Sequence, residues 1–114
     1  MRIEEMNHGR KVSYGLNGTR LDFADGALTV DLSRWQEDDP VTVDIKATRK
    51  GNLTTGKGSY YVAQIEIPGR EYEETAETGS GTDGESGGGE RKPLPLDTEK
   101  VTLRLFSIDG IMIR

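Results

Sequence analysis

The sequence predicts an all-β domain: a small antiparallel β-sandwich or partly open β-barrel of six to seven strands, with one long disordered loop. Three observations carry that expectation. Apolar and polar residues alternate with a period of two along most of the chain, and no stretch carries a helical stripe. Three Asx-Gly dipeptides, Asn17-Gly18, Asp25-Gly26 and Asp109-Gly110, interrupt the alternation. A type I′ turn needs positive φ at both central residues, which Asn and Asp tolerate and Gly adopts freely. Third, the segment EYEETAETGSGTDGESGGGERKPLPL (71–96) contains Tyr72, Ala76, Leu94 and Leu96 as its only apolar residues.

Strands are expected near 10–17, 19–25, 27–34, 41–50, 58–68, 98–108 and 111–114, with room for a short helix in 1–8 or 33–39. A two-residue turn at Asn17-Gly18 sets Leu16 opposite Thr19, Tyr14 opposite Leu21 and Val12 opposite Phe23. A turn at Asp25-Gly26 then sets Phe23 opposite Leu28 and Leu21 opposite Val30. Two apolar rows result on one face of a three-stranded meander, with Arg20 opposite Asp31 on the other. A slip of one residue in either hairpin would mix the two faces. Trp35, after the third strand, is expected to close one end of the core.

The next two strands align Val41 with Ile67, Val43 with Ile65, Ile45 with Ala63 and Ala47 with Tyr61. Their polar face then carries Lys46 opposite Val62 and Thr48 opposite Tyr60. Continuing that register makes residues 52–56 a five-residue tip. This tip lies within GNLTTGKGS (51–59), which reads Gly51-x-x-x-x-Gly56-Lys57-Gly58 and falls one residue short of the phosphate-cradling signature. A nucleotide loop needs a hydroxyl residue after the Lys and a helix beyond it. Here Gly58 follows, and then the alternating strand SYYVAQIEI. The stretch is read as a hairpin tip.

Near the end of the chain, Asp109-Gly110 pairs Ile108 with Ile111 and Phe106 with Ile113. Val101, Leu103 and Leu105 have the opposite parity to Phe106 and Ile108, so a bulge or bend is expected near Leu105-Phe106. Between the fifth and sixth strands, the Gly- and Glu-rich segment 71–96 cannot bury enough apolar surface to offset its ordering entropy, and disorder is expected over about 75–91. Its return, Lys92-Pro93-Leu94-Pro95-Leu96, reads as extended chain. The insertion is read as neutral, with a bait for a basic partner or an electrostatic mask over the basic hairpin as the functional alternatives.

The 114 residues suffice for one domain. The net charge of −5 belongs to the loop: seven of the 20 acids fall in 71–90 without a single base, leaving the remainder slightly basic. Cysteine is absent, which excludes disulfides and thiolate metal sites. The first residues lack the apolar run of a signal peptide, and no run approaches a membrane span. A soluble cytoplasmic protein is expected.

No catalytic set, metal site or cofactor is assigned. His8 stands alone in a polar stretch, and Glu37-Asp38-Asp39 reads as a solvated turn rather than a Ca²⁺ loop. Asp22, Asp31 and Asp44 sit on polar strand faces, where cross-strand partners account for them; an enzyme would need a carboxylate pair that the sequence does not bring together. The expected function is a non-enzymatic protein-interaction or scaffolding module, with self-association through a short edge strand at 111–114. The alternative is single-stranded nucleic-acid binding by the basic hairpin 46–61. There Lys46, Arg49, Lys50 and Lys57 would meet phosphates, and Tyr60, on the polar face, would stack on a base.

Overall fold

The computed structural model describes residues 1–73 and 92–114; the disorder expected over about 75–91 lies outside them. It is an all-β fold of two sheets that do not close into a barrel. The strands are β1 (Arg2–Glu5), β2 (Tyr14–Asn17), β3 (Arg20–Phe23), β4 (Leu28–Asp31), β5 (Val41–Ala47), β6 (Leu53–Thr54), β7 (Tyr60–Ile67) and β8 (Thr102–Leu105). The helix α1 (Leu32–Trp35) is one turn long. One sheet has the order β1-β8-β7-β5-β6, the other β2-β3-β4.

The smaller sheet is the predicted meander with one register changed. The β3–β4 turn keeps the predicted register but spans residues 24–27 rather than two: Ala24, Asp25 and Gly26 all have left-handed φ, +54°, +53° and +91°, and Ala27 N–H donates to the Ala24 carbonyl at 3.2 Å. Leu21 faces Val30 and Phe23 faces Leu28, as the alternation requires. The first hairpin differs: Tyr14 faces Phe23, Leu16 faces Leu21 and Asn17 faces Arg20. Its loop residues are therefore Gly18 and Thr19 rather than Asn17 and Gly18, with Gly18 at φ +63°. Thr19 is held outside the β2–β3 ladder. Its carbonyl accepts from Leu32 N–H at 2.8 Å and its hydroxyl donates to Asp31 Oδ1 at 3.1 Å. The slip is two residues, so every side chain keeps its face.

In the larger sheet, β5 and β7 pair as predicted from Val41–Ile67 to Ile45–Ala63, and then a bulge intervenes. Lys46 faces Tyr61 and Ala47 faces Tyr60, leaving Val62 as the extra residue. Both Val62 and its neighbour Ala63 are buried, which strict alternation forbids and a bulge permits. The five-residue tip is also replaced. The chain reverses over 48–51, with Gly51 at φ +89° and its N–H bonded to the Thr48 carbonyl. β6 then adds to the free side of β5, Ala47 opposite Leu53.

β8 is shorter than the 98–108 expected. A 3₁₀ turn at Thr98–Lys100, capped by the Asp97 carboxylate, precedes it. It ends at Leu105, the step at which the parity changes; Phe106 N–H still bonds the Val62 carbonyl of β7, so the expected bulge or sharp bend at Leu105-Phe106 is not seen, and Ile108 is buried beyond it. The N-terminal residues form β1, which pairs parallel with β8, Ile3 opposite Leu103; a helix at 1–8 and a purely antiparallel fold are both corrected. Residues 111–114 form no strand. Asp109-Gly110 does turn the chain, with Ile111 N–H on the Ile108 carbonyl, but Arg114 N–H then donates to the Gly51 carbonyl at 2.9 Å.

Between the sheets lies one apolar cluster. Leu21, Phe23, Val30 and Leu32 come from one side; Val43, Ile45, Ile65, Ile67, Leu103 and Leu105 come from the other. Trp35 is 40% exposed; Leu32, pointing inward from the same turn of helix, fills the position assigned to it. Asp31 caps that turn by accepting from Ser33 N–H.

The roots of the long loop are ordered. Tyr72 bridges Pro93, Glu73 N–H donates to Lys92 O and Leu94 N–H to Glu71 O, both at 2.8 Å. Lys100 pairs with Glu71 at 2.7 Å. Asp38, expected to be merely solvated, accepts from Arg70 Nη1 at 2.9 Å and from the Tyr72 hydroxyl at 2.7 Å. These bonds hold the Asp38 carboxyl below its ordinary pKa, Tyr72 first and Arg70 second.

Candidate interaction surfaces

Two places could meet a partner: the basic end of the β5–β7 pair and the free edge of β2. At the first, the bulge rearranges the expected site. Lys46 lies on the outer face of the large sheet, and its ammonium sits 4.8 Å from the centroid of the Tyr61 ring. Tyr61 in turn meets Phe106, centroids 5.8 Å apart at 47°. Tyr60, expected beside Lys46, faces Ala47 on the other side of the sheet. Arg49 and Lys50 are exposed in the 48–51 turn and Lys57 in the link into β7. The aromatic on the cation's face is therefore Tyr61, which is half exposed. The apolar run Tyr61-Val62-Ala63, whose last two residues are both buried, is the signal for it.

The rest of that outer face is a chain of paired charges. Arg104 bonds Glu4 at 3.1 Å, Gln64 at 3.1 Å and Glu66 at 2.5 Å, and Gln64 continues to Asp44 at 3.0 Å. Glu66 foremost, with Glu4 assisting, raises the Arg104 pKa. An anionic strand laid along this face would meet three carboxylates beyond Lys46.

At the second place the backbone itself is the feature. Ala24 N–H donates to Ser13 O at 2.9 Å, so Ser13, Gly15 and Asn17 are the residues of β2 that bond to β3. In an antiparallel ladder the intervening residues point their N–H and C=O the other way. Those of Tyr14 and Leu16 face outward from the sheet. Their side chains share the face of Leu21 and Phe23, yet Tyr14 is 42% exposed and Leu16 36% exposed, overhanging the core. Residues 12–18 carry no charge. The other described edges are of a different kind: β1 bears Arg2, Glu4 and Glu5, β4 bears Asp31, and β6 is two residues long. Charge or brevity is how native sheets protect an edge. Beside β2 lies a shallow hollow of about 290 Å³ lined by Ser13, Tyr14, Gly15, Asp22, Asp25 and Gly26. Within it, Asp22 accepts a hydrogen bond from Thr29 Oγ1 at 2.5 Å.

What fold and surfaces define is an open two-sheet β fold with, among the described residues, one edge protected by neither charge nor brevity. Compared with family models, curated proteins and solved structures, the chain matches none. Among the described residues no helix is long and apolar enough to cross a membrane.

Proposed function

We propose that this chain is a non-enzymatic protein-interaction or scaffolding module of the cytoplasm that engages its partner by strand addition at β2. The observation that carries the reading is the uncharged edge at Tyr14–Asn17, with two residues' backbone groups turned outward and two large apolar side chains beside them. Main-chain bonds along such an edge supply affinity, and side chains on alternate positions supply selectivity. The cysteine-free sequence suits a reducing compartment.

A library of extended peptides selected on the chain tests it. Bound peptides should perturb the amides of residues 13–17 above all others, and Leu16→Lys should weaken them about tenfold or more, by placing a charge where apolar side chains must meet. Peptides that bind Leu16→Lys as well as the parent, or that perturb only the Lys46 face, overturn the reading.

Single-stranded nucleic acid is the second reading, favoured by the contiguous Lys46, Tyr61 and Phe106 with Arg49, Lys50 and Lys57 nearby. It requires binding to an oligonucleotide that falls steeply with salt and is lost in Tyr61→Ala but kept in Tyr60→Ala.

A further inference from the structure

We infer that the partner of the β2 edge is a second copy of this chain, the two small sheets joining across a two-fold axis at Gly15 into one six-stranded sheet. The inference rests on the strand-addition reading above and adds the identity and register of the occupant. Only Tyr14 and Leu16 present outward backbone groups within β2, so an antiparallel copy can use all of them in one register alone. Tyr14 then faces Leu16 of the partner subunit, and Leu16 faces the partner's Tyr14. Each such pair exchanges both of its N–H···O=C bonds. Registers displaced by two residues in either direction would set one of these residues opposite Val12 or Gly18, outside the strand.

Side chains agree with that register. Tyr14 and Leu16 meet in two aromatic–aliphatic cross-strand pairs on the core face, where both are now half exposed. On the opposite face, Gly15 meets its own symmetry mate and Ser13 meets Asn17 of the partner subunit. No charge opposes a like charge over 12–18, because none is present; the same operation on β1, where Ile3 and Glu5 are the outward residues, would set Glu4 directly against its own symmetry mate. With four residues a side, the contact falls short of the roughly 1,200 Å² of standard stable interfaces. The dimer is accordingly a weak, rapidly exchanging one.

Gly15 makes the test clean. Its φ is not left-handed, and a Cβ there would meet nothing within 4 Å, so a side chain at this position leaves the monomer undisturbed. Sedimentation velocity of the purified full-length chain should show reversible dimerisation as concentration rises. Gly15→Lys and Gly15→Glu should each weaken it about tenfold or more, since each sets like charges directly opposite, and their equimolar mixture should restore it. Since the chain has no cysteine, Gly15→Cys should also oxidise to a disulfide dimer faster than Ser13→Cys or Asn17→Cys, whose thiols lie off the axis. A chain that stays monomeric at every concentration, a dimer untouched by both charge variants, or equal oxidation of the three thiol variants overturns the proposal. Peptide binding at the edge, read separately, survives any of these outcomes, so failure of the self-pairing is distinguishable from failure of the strand-addition reading.

Discussion

Gly51 satisfies two constraints that no other residue type meets together. Its φ is +89°, and a Cβ at this position would lie 1.8 Å from the Met112 carbonyl oxygen, because residues 111–114 run against the 48–51 turn. Gly51→Ala should cost roughly 1–2 kcal/mol for the left-handed backbone, and more for displacing that segment, read as a lower urea midpoint and a faster-exchanging Arg114 amide. In a chain shortened by residues 112–114 the same substitution should retain the backbone cost alone. If its cost is equal in both chains, the Met112 contact contributes nothing. Asp38 makes a pH prediction with a definite sign. Hydrogen bonds from Tyr72 and Arg70 lower its folded pKa, so the stabilisation they give is complete above the unfolded carboxylate value of about 3.9. It is lost as pH falls through the folded value. An NMR titration following the Asp38 carboxyl should therefore find its midpoint below that of an unstructured Asp. The acid response of the Tyr72 ring signals should disappear in Asp38→Asn. A midpoint at or above the unstructured value would remove Asp38 from the clasp at the root of the loop.

At the scale of elements, the alternation of apolar residues determined which face each residue of β2, β3, β4, β5 and β7 occupies. It could not determine the register of β2, because a slide of two residues restores the same faces. Tyr14 opposite Phe23 is as consistent with the pattern as Tyr14 opposite Leu21, and the choice lies with Thr19, whose bonds to Leu32 and Asp31 come from residues distant in sequence. The bulge at Val62 was hidden for a related reason. Its only local trace is the run Tyr61-Val62-Ala63, and Phe106, whose N–H bonds the Val62 carbonyl at 3.0 Å, is far along the chain. β1 was illegible because its partner β8 is about a hundred residues away, and RIEE has no alternation of its own. The candidate surfaces followed suit: Lys46, Arg49, Lys50 and Lys57 were readable as charges, whereas the exchange of Tyr60 for Tyr61 depended on the bulge. The β2 register makes a prediction of its own. In dilute solution the amides of Tyr14 and Leu16 should exchange with solvent far faster than those of Gly15 and Asn17, which donate toward β3. Uniform protection along the strand, or the reverse alternation, would show that Ser13 and Ala24 do not anchor this ladder.

For the molecule as a whole, the two ends of the β5–β7 pair carry different groups. The Ala47 and Tyr60 end carries Arg49, Lys50 and Lys57; the Val41 and Ile67 end carries the clasp of Asp38, Arg70 and Tyr72 and the roots of the long loop. Seven residues of β5 set these ends about 20 Å apart, so acids in the loop must reach back along the sheet to cover the basic end. The bridge between Tyr72 and Pro93 already brings the loop's two ends together. Replacing 75–90 by a two-residue Asn-Gly turn should therefore leave the core intact. It should raise the urea midpoint slightly, because each halving of a flexible loop recovers only about 0.6 kcal/mol of closure entropy. The amides of Lys46, Arg49, Lys50 and Lys57 should keep their chemical shifts at low salt. Loss of stability would mean that the excised acids contribute contacts to the fold. Shifts confined to the basic end, and erased by salt in the parent chain, would instead make the loop an electrostatic cover for that end.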